Sequence, residues 1–279
     1  MSKNLSAVAV TEFDSEVKHA YQGASKLRNS VTLRTGVVGD TYKFRLMGKG
    51  LANQKATSAN VTPMDITHSL PTATLANWNA PEYTDIFDQA EVNFDEKAQL
   101  AKTIAKAIGR REDQMIIDSL TGGTYNTTAT DGQGFDIAAG GTGFTFEKLL
   151  SLTNYYADLE IDEMPTIVVE GAALIDLLSE QELTSSDYQN VKALVNGTLT
   201  DSTAMGYRFV TVGSRRAEGG LGGKAYCYVP SAVGLAVGKI DRMVDVNWIA
   251  EKTSWLCNGM LKAGSVLVDP EGTAQIAYA

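Results

Sequence analysis

The stretch AKAIGRREDQMIIDSLTGG, residues 105–123, combines apolar residues at helical spacing with four consecutive charges. On a helical wheel of 100° per residue, the apolar side chains cover about half of the circumference. Arg110 and Asp113 lie on the opposite side, whereas Arg111 and Glu112 project from within the apolar arc. The stretch therefore predicts a long helix whose surroundings change along its length.

The charge block admits two interpretations, which the sequence leaves open. Arg111 and Glu112 either face a neighbouring element or chain that supplies opposite charges, or the helix emerges there into water. Unpaired burial is disfavoured, since it would cost several kcal/mol. Gly109 costs about 1 kcal/mol relative to Ala inside a helix, so we expect another element to pack closely at that point. Gly122 and Gly123 end the helix.

The composition is that of a globular protein without a nucleic-acid footprint. The 279 residues are 44% hydrophobic, enough for one large domain or two smaller ones. Lys and Arg number 24 against 33 Asp and Glu, and the net charge of −9 disfavours broad binding to phosphates. Cys227 and Cys257 lack the spacing of a disulfide framework or zinc site. The sequence shows neither a signal peptide nor a membrane span, so we expect assembly in a cytosol.

Upstream of the helix, the sequence predicts an arm, strands and then a long loop. Residues 1–30 show no strong apolar face. The segments VTLRTGVV, from Val31, and TYKFRLMG, from Thr41, alternate as strands do, and Gly39-Asp40 between them predicts a hairpin. Residues 48–78 are poor in large apolar side chains and cannot build a core. A loop of this length is unusual unless it contacts something else.

Downstream of the helix, helical and strand patterns alternate from about residue 145 to 240, which predicts a mixed α/β region. The segments TFEKLLSLTNYYADLEI and AALIDLLSEQ predict helices, with the strand MPTIVVEG between them. The remainder, from YRFVTVG to SVLVDPEGTAQIAYA, is strand-like, and DPEG within it predicts a turn.

Catalytic and cofactor motifs are missing from the sequence. Gly219–Ala225 has some features of a phosphate-binding loop but lacks its first Gly and its Ser or Thr, and a loop tip explains it better. His19 and His68, the two histidines, belong to no metalloprotease or hydrolase motif. We therefore predict no catalytic residue, no cofactor-binding residue and no metal ligand.

The order of these parts resembles the tailed-phage major capsid proteins with the HK97-type fold. The similarity lies in the short arm, the strand-rich loop, the helix with Arg111-Glu112-Asp113 followed by Ile116 and Gly122, the α/β region and the closing GMLKAGSVLVDPEGTAQIAYA. It spans nearly the whole chain and rests on layout more than on one sharp motif.

The resemblance implies an α+β fold with four parts. They are an N-arm at 1–30, an extended E-loop hairpin at 31–80, a P-domain at 81–144 and 239–279, and a mixed α/β A-domain at 145–238. The P-domain would contain a long spine helix at about 90–121 and antiparallel strands, with the last strand able to join the A-domain.

The resemblance also implies a structural role without catalysis. Copies would self-assemble as hexamers and pentamers into the icosahedral head of a tailed double-stranded DNA phage, in the host cytoplasm, and would enclose the genome without binding it specifically. The implied partners are other copies, a portal, a decoration protein in some shells and a separate scaffolding protein, because the arm is too short to be a built-in scaffold; no membrane is involved. The candidates for contacts between subunits are Arg110, Arg111, Glu112, Asp113, Lys43, Arg45, Lys49 and Lys55.

Two alternatives remain. An encapsulin-type nanocompartment shell would have the same fold but would hold cargo enzymes. A soluble α/β enzyme or binding protein would instead use residues 145–240.

Overall fold

The computed structural model describes residues 24–87, 96–128, 132–179, 202–204, 206–216 and 219–278. The helices in these ranges are α1 (Glu96–Thr121), α2 (Phe146–Asp158) and α3 (Gly171–Ser179). The strands are β1 (Thr32–Val37), β2 (Thr41–Lys43), β3 (Leu46–Met47), β4 (His68–Ser69), β5 (Thr72–Thr74), β6 (Ala76–Asp85), β7 (Tyr125–Asn126), β8 (Gly134–Ile137), β9 (Thr166–Val169), β10 (Ser202–Ala204), β11 (Tyr207–Thr211), β12 (Lys224–Tyr228), β13 (Val233–Gly238), β14 (Met243–Ile249), β15 (Ser254–Leu267) and β16 (Thr273–Ala277).

The first sheet is organised around β15, which carries strands on both of its edges. β6 pairs with it antiparallel along one edge, with Ala76 opposite Ala263. β13 and then β14 pair antiparallel along the other edge, where Val237 also lies opposite Ala263. β1 extends this sheet by pairing parallel to β13.

The second sheet has the strand order β10-β11-β9-β12-β16-β8-β7 and is covered on both faces. In β9, Ile167 and Val169 belong to the core formed with α2 and α3. Val168, which points the other way, belongs to a core that also contains Ile116 and Leu120 of α1. Because both faces are buried, the central strand is a continuous apolar run, as the segment TIVV predicts.

Helix α1 connects the two sheets by packing against both. Its N-terminal half lies on β15, where an added Cβ at Gly259 would clash with Ile104 and lie 3.0 Å from Cγ1 of Ile108. Its C-terminal half contacts the core beneath the second sheet through Ile116 and Leu120. The predicted end of the helix is confirmed, since Gly122 donates its N–H to the Asp118 carbonyl after the last turn. The predicted start near residue 90 lies outside the described residues.

The predicted hairpin around Gly39-Asp40 is wrong, although its strands exist. β1 pairs with β13, whereas β2 pairs with β5 and β3 with β4. The physical reason is the burial of the inner side of β2 and β3. Phe44 packs flat against Gly234, where an added Cβ would lie 2.5 Å from the ring, so this segment lies over the first sheet rather than extending it.

Strand β6 was not predicted, because its sequence ANWNAPEYTD is largely polar and contains Pro81. Proline is tolerated there since β6 is an edge strand of the first sheet. The mixed α/β region was predicted correctly, with helices and strands in the expected order.

The long loop makes no core of its own, as its composition predicted. Residues 49–65 are exposed throughout. The segment therefore leaves the body of the chain between β3 and β4 and returns without covering the interior.

We predict that Gly259→Ala lowers the free energy of unfolding by about 1–3 kcal/mol, because the added methyl group forces α1 away from β15. Urea denaturation followed by tryptophan fluorescence would measure the loss. Gly171→Ala is the matched control, since an added Cβ there meets open space. Equal stability of the two variants would contradict the close packing of α1 on β15.

Candidate functional site

The carboxylate of Asp113 in α1 binds backbone N–H groups at the end of the arm, residues 24–30. One carboxylate oxygen accepts hydrogen bonds from Ser25 Oγ at 2.8 Å and from the Leu27 N–H at 3.1 Å. The other accepts from the Lys26 N–H at 2.9 Å. Leu27 is completely buried as a result, so the carboxylate fixes a segment that enters the core.

Glu112, completely buried, binds two arginines from distant parts of the chain. Arg28 of the arm donates to it at 3.1 Å, and Arg242, beside β14, donates from Nε at 2.5 Å. Arg28 also makes a two-pronged contact of 2.7 and 2.6 Å with Asp241. Arg242 in turn donates to Ser25 Oγ at 2.7 Å, which closes a network between helix, arm and sheet. We call this network of Ser25, Arg28, Glu112, Asp113, Asp241 and Arg242 the arm latch.

The backbone of Arg242 shows that the arm latch is built under strain. Its φ is +46°, in the left-handed region that non-glycine residues rarely adopt. Such strain persists where surrounding contacts enforce it, and here the guanidinium contacts both Glu112 and Ser25.

Burial and pairing move the pKa values of Glu112 and Asp241 in opposite directions. Desolvation raises the pKa of Glu112, although Arg242 and Arg28 oppose that effect. The hydrogen bonds from Arg28 lower the pKa of the exposed Asp241. The arm latch therefore depends on arginine to keep its buried carboxylate charged.

The interpretation that the charge block faces a neighbouring element is confirmed for Glu112, and the interpretation of a helix end in water is wrong. Asp113, which the helical wheel placed on the polar side, is buried as well. Both carboxylates are buried and bound within the chain. The expected close packing at Gly109 is also confirmed, since an added Cβ would lie 3.1 Å from Ser25 Cβ. The partners Arg28 and Arg242 were missed, because no local spacing connects them to the helix.

The other two members of the charge block are less enclosed. Arg111 is half-buried and stacks on the ring of Trp78 in β6, 3.7 Å from its centroid. Arg110 is half-buried, and its carbonyl accepts a hydrogen bond from Arg216 at 3.0 Å. A contact of these residues with a neighbouring chain remains a prediction.

The remaining candidates lie in the long loop and in the strands that lead into it, and Lys43, Arg45 and Lys55 are exposed. Lys49 bonds Glu271 at 2.5 Å. Burial alone would raise the pKa of Glu271, but Lys49 and the Gly132 N–H together lower it.

The same segment exposes large apolar side chains to solvent. Leu51 is 79% exposed and Val61 77%, and Met47, Met64 and Leu70 are each more than half exposed. Such a cluster on one segment indicates a surface that another molecule covers.

The remaining sequence candidates form no chemical site. His68 is exposed in β4, and His19 lies outside the described residues. The glycine-rich loop leads into β12 and not into a helix, and its Leu221 N–H donates to the Glu170 carboxylate, so a loop tip is confirmed. Across the described ranges, no three His, Cys, Asp or Glu side chains are placed to hold a metal ion. The helices of those ranges include none that is both long and apolar enough to cross a membrane.

We predict that Asp113→Ala lowers the free energy of unfolding by about 2–4 kcal/mol, because three donors of the arm, of which the Leu27 N–H is buried, lose their acceptor. The arm should also become more sensitive to limited proteolysis. Glu147→Ala on the exposed side of α2 is the control, with an expected change within about 0.5 kcal/mol. A loss for Asp113→Ala no larger than that of the control would show that the arm is held otherwise.

A second prediction concerns pH. Arg242→Leu removes the closest cation from Glu112 and so raises the pKa of Glu112 further above its unfolded value. The destabilisation of the variant should then be largest near pH 8 and should shrink as the pH falls and Glu112 takes up a proton. Urea denaturation between pH 5 and pH 8 measures this. In a Glu112→Gln background the same change should show no such pH dependence, and a pH-independent deficit without that background would refute the assignment.

The chain and its fold are similar to known proteins. The model of the family described as phage capsid protein matches residues 5–279. No curated protein matches the chain. The capsid structure of the cyanophage P-SCSP1u is similar over 100% of this chain and 95% of its own, with a TM-score of 0.77 at 16% identity.

Two further solved structures show the same fold. The head structure of the Helicobacter pylori bacteriophage KHP40 covers 99% of this chain and 98% of its own, with a TM-score of 0.73 at 10% identity. The capsid of a native GTA particle covers 98% and 96%, with a TM-score of 0.73 at 14% identity. The fold is thus the HK97-type capsid fold, which confirms the α+β class. Because the family model spans the arm segment, both sheets and the long loop, the chain belongs to the phage capsid protein family and is a component of the virion capsid.

Proposed function

We propose that this major capsid protein assembles through hexamers and pentamers into the icosahedral head of a tailed double-stranded DNA phage, and that it does so without catalysis. Membership of the capsid family supports the structural role. The observation that carries the proposal is the long loop, whose residues 49–65 are exposed and whose apolar side chains find no cover within their own chain. Adjacent copies would supply that cover.

The arrangement of the sheets supports the proposed division of the chain. The first sheet with α1 lies largely within the proposed P-domain, 81–144 and 239–279, and the second sheet with α2 and α3 largely within the proposed A-domain, 145–238, although β7 and β8 of the second sheet fall in the P-domain range. β16 joins the second sheet, and β13 returns the chain to the first. The E-loop, 31–80, contains β2 paired with β5, β3 paired with β4, and the long loop between β3 and β4. The N-arm, 1–30, ends in the arm latch.

Within that division, the candidate contacts acquire different roles. Lys43, Arg45 and Lys55 are exposed and would contact other copies directly, together with the half-buried Arg110 and Arg111. Glu112 and Asp113 would act on assembly through the arm that they hold.

The partners beyond other copies follow from the same assignment. A separate scaffolding protein and a portal would direct closure of the shell, with a decoration protein on some shells. The net charge of −9 suits a wall that encloses DNA without holding it. An encapsulin shell would package cargo enzymes instead, and the similar capsids of P-SCSP1u and KHP40 favour the phage role.

We predict that purified protein forms closed shells in negative-stain micrographs, alone or with its scaffolding protein. Replacing residues 50–64 with a short Gly-Ser linker should leave the melting temperature within a few degrees, because these residues are exposed, but should abolish shells. Static light scattering then separates single copies from assemblies. A wild-type protein that stays monomeric under every condition would refute the proposal, and normal shells from the shortened variant would refute the role of the loop.

A further inference from the structure

The segment of β2 and β3, at the base of the long loop, has two chemically different sides. Tyr42, Phe44 and Leu46 point inward and pack on the core formed with Leu75. Lys43, Arg45 and Met47, which alternate with them, point outward and are exposed. The inward side therefore packs within its own chain, whereas the outward side exposes two cationic side chains and one apolar side chain to solvent.

The segment that contains these strands and the start of the long loop is also uniformly basic. Residues 41–64 contain Lys43, Arg45, Lys49 and Lys55 and no acidic residue, in a chain whose net charge is −9. The outward residues Lys43, Arg45 and Lys55 form what we call the cationic face. Because the rest of the chain is more acidic than the whole, the face has a natural complement on another copy.

An acidic groove lies between the end of α2 and the turn before β16. It is a cavity of about 330 Å³ that has the carboxylates of Asp162, Glu163, Asp269 and Glu271 in its lining. Asp162 and Glu163 of this lining are exposed, and the exposed Glu160 lies next to them in the chain, between Leu159 and Ile161 of the lining. Residues 158–163 hold four acids and no base. We use the name acidic groove for Glu160, Asp162, Glu163, Asp269 and Glu271.

A lysine of the loop already occupies one end of the acidic groove. Lys49 lines the cavity and bonds Glu271 at 2.5 Å. Four carboxylates line the cavity, those of Asp162, Glu163, Asp269 and Glu271, and Lys49 is the one base in the same lining, so the groove holds more acidic than basic side chains. Asp162 of the lining and the adjoining Glu160 are open to solvent.

We propose that the cationic face of one copy docks on the acidic groove of a neighbouring copy. The inference rests on the proposed shell, and it names the surface on which the loop lies. A second copy is the occupant that the chemistry favours, since every copy carries both the basic face and its acidic complement, and Lys49 demonstrates the pairing inside a single chain. Leu51 and Val61, exposed in the same loop as Lys55, would be covered in the same contact.

Charge reversal tests the docking. The loop set combines Lys43→Glu, Arg45→Glu and Lys55→Glu, and the groove set combines Glu160→Lys, Asp162→Lys and Glu163→Lys. Each set alone should lower the yield of shells by at least about tenfold at 0.1 M salt, since like charges then meet at every contact. A chain that carries both sets should regain most of that yield. Lys239→Glu and Glu251→Lys, exposed elsewhere, are the controls and should assemble as the wild type does.

Folding and function are separated by the same experiment. Melting temperatures should stay close to that of the wild type, because all of the reversed residues are exposed. If the loop set fails to fold, the Lys43→Gln, Arg45→Gln and Lys55→Gln set replaces it, with reduced yield and a weaker response to 1 M salt expected.

Three outcomes would overturn the inference. If either charge-reversed set gave shells in wild-type yield, the proposed shell would stand but the proposed docking would be refuted. A combined chain no better than the single sets would show that the two surfaces do not meet. Loss of DNA retention in the loop set, with unchanged shell yield, would assign the cationic face to the packaged genome. Failure of the wild type to assemble would instead refute the proposed function.

Discussion

The fold depends on two buried carboxylates on one turn of α1. A charge removed from water must find a partner, because an unpaired one costs several kcal/mol, and this requirement ties two remote segments to the helix. Asp113 holds the backbone of the arm, and Glu112 holds Arg28 and Arg242. Since Arg242 lies beside β14, the helix, the start of the described chain and the first sheet are fixed by one network.

The sequence was sufficient for the elements that a local pattern determines. The apolar arc of α1 depends on residues three or four positions apart, and the alternation in β2 and β3 on residues two positions apart. Both patterns are local, and both elements were predicted. Pairing between distant strands carries no local signal, which is why β1 was assigned to the wrong partner. β6 was missed for a related reason, since an edge strand needs few apolar residues.

The site divides along the same line. The misplaced charges of the helix were visible in the sequence and correctly indicated that partners must exist. Their identity depends on contacts such as Arg28 with Glu112, which are 84 residues apart in the chain. The loop was recognisable because its composition cannot support a core, a property that needs no partner to be named.

The exposed apolar side chains of the loop also affect a subunit before it reaches a shell. Leu51 and Val61 face water in a freshly made copy, and solvent-exposed apolar clusters promote indiscriminate sticking between chains. A copy is therefore prone to aggregate for as long as it stays unassembled. Aggregation is limited when copies are incorporated into shells as fast as they are synthesised. Overproduction without the other head components would favour amorphous precipitate over ordered growth.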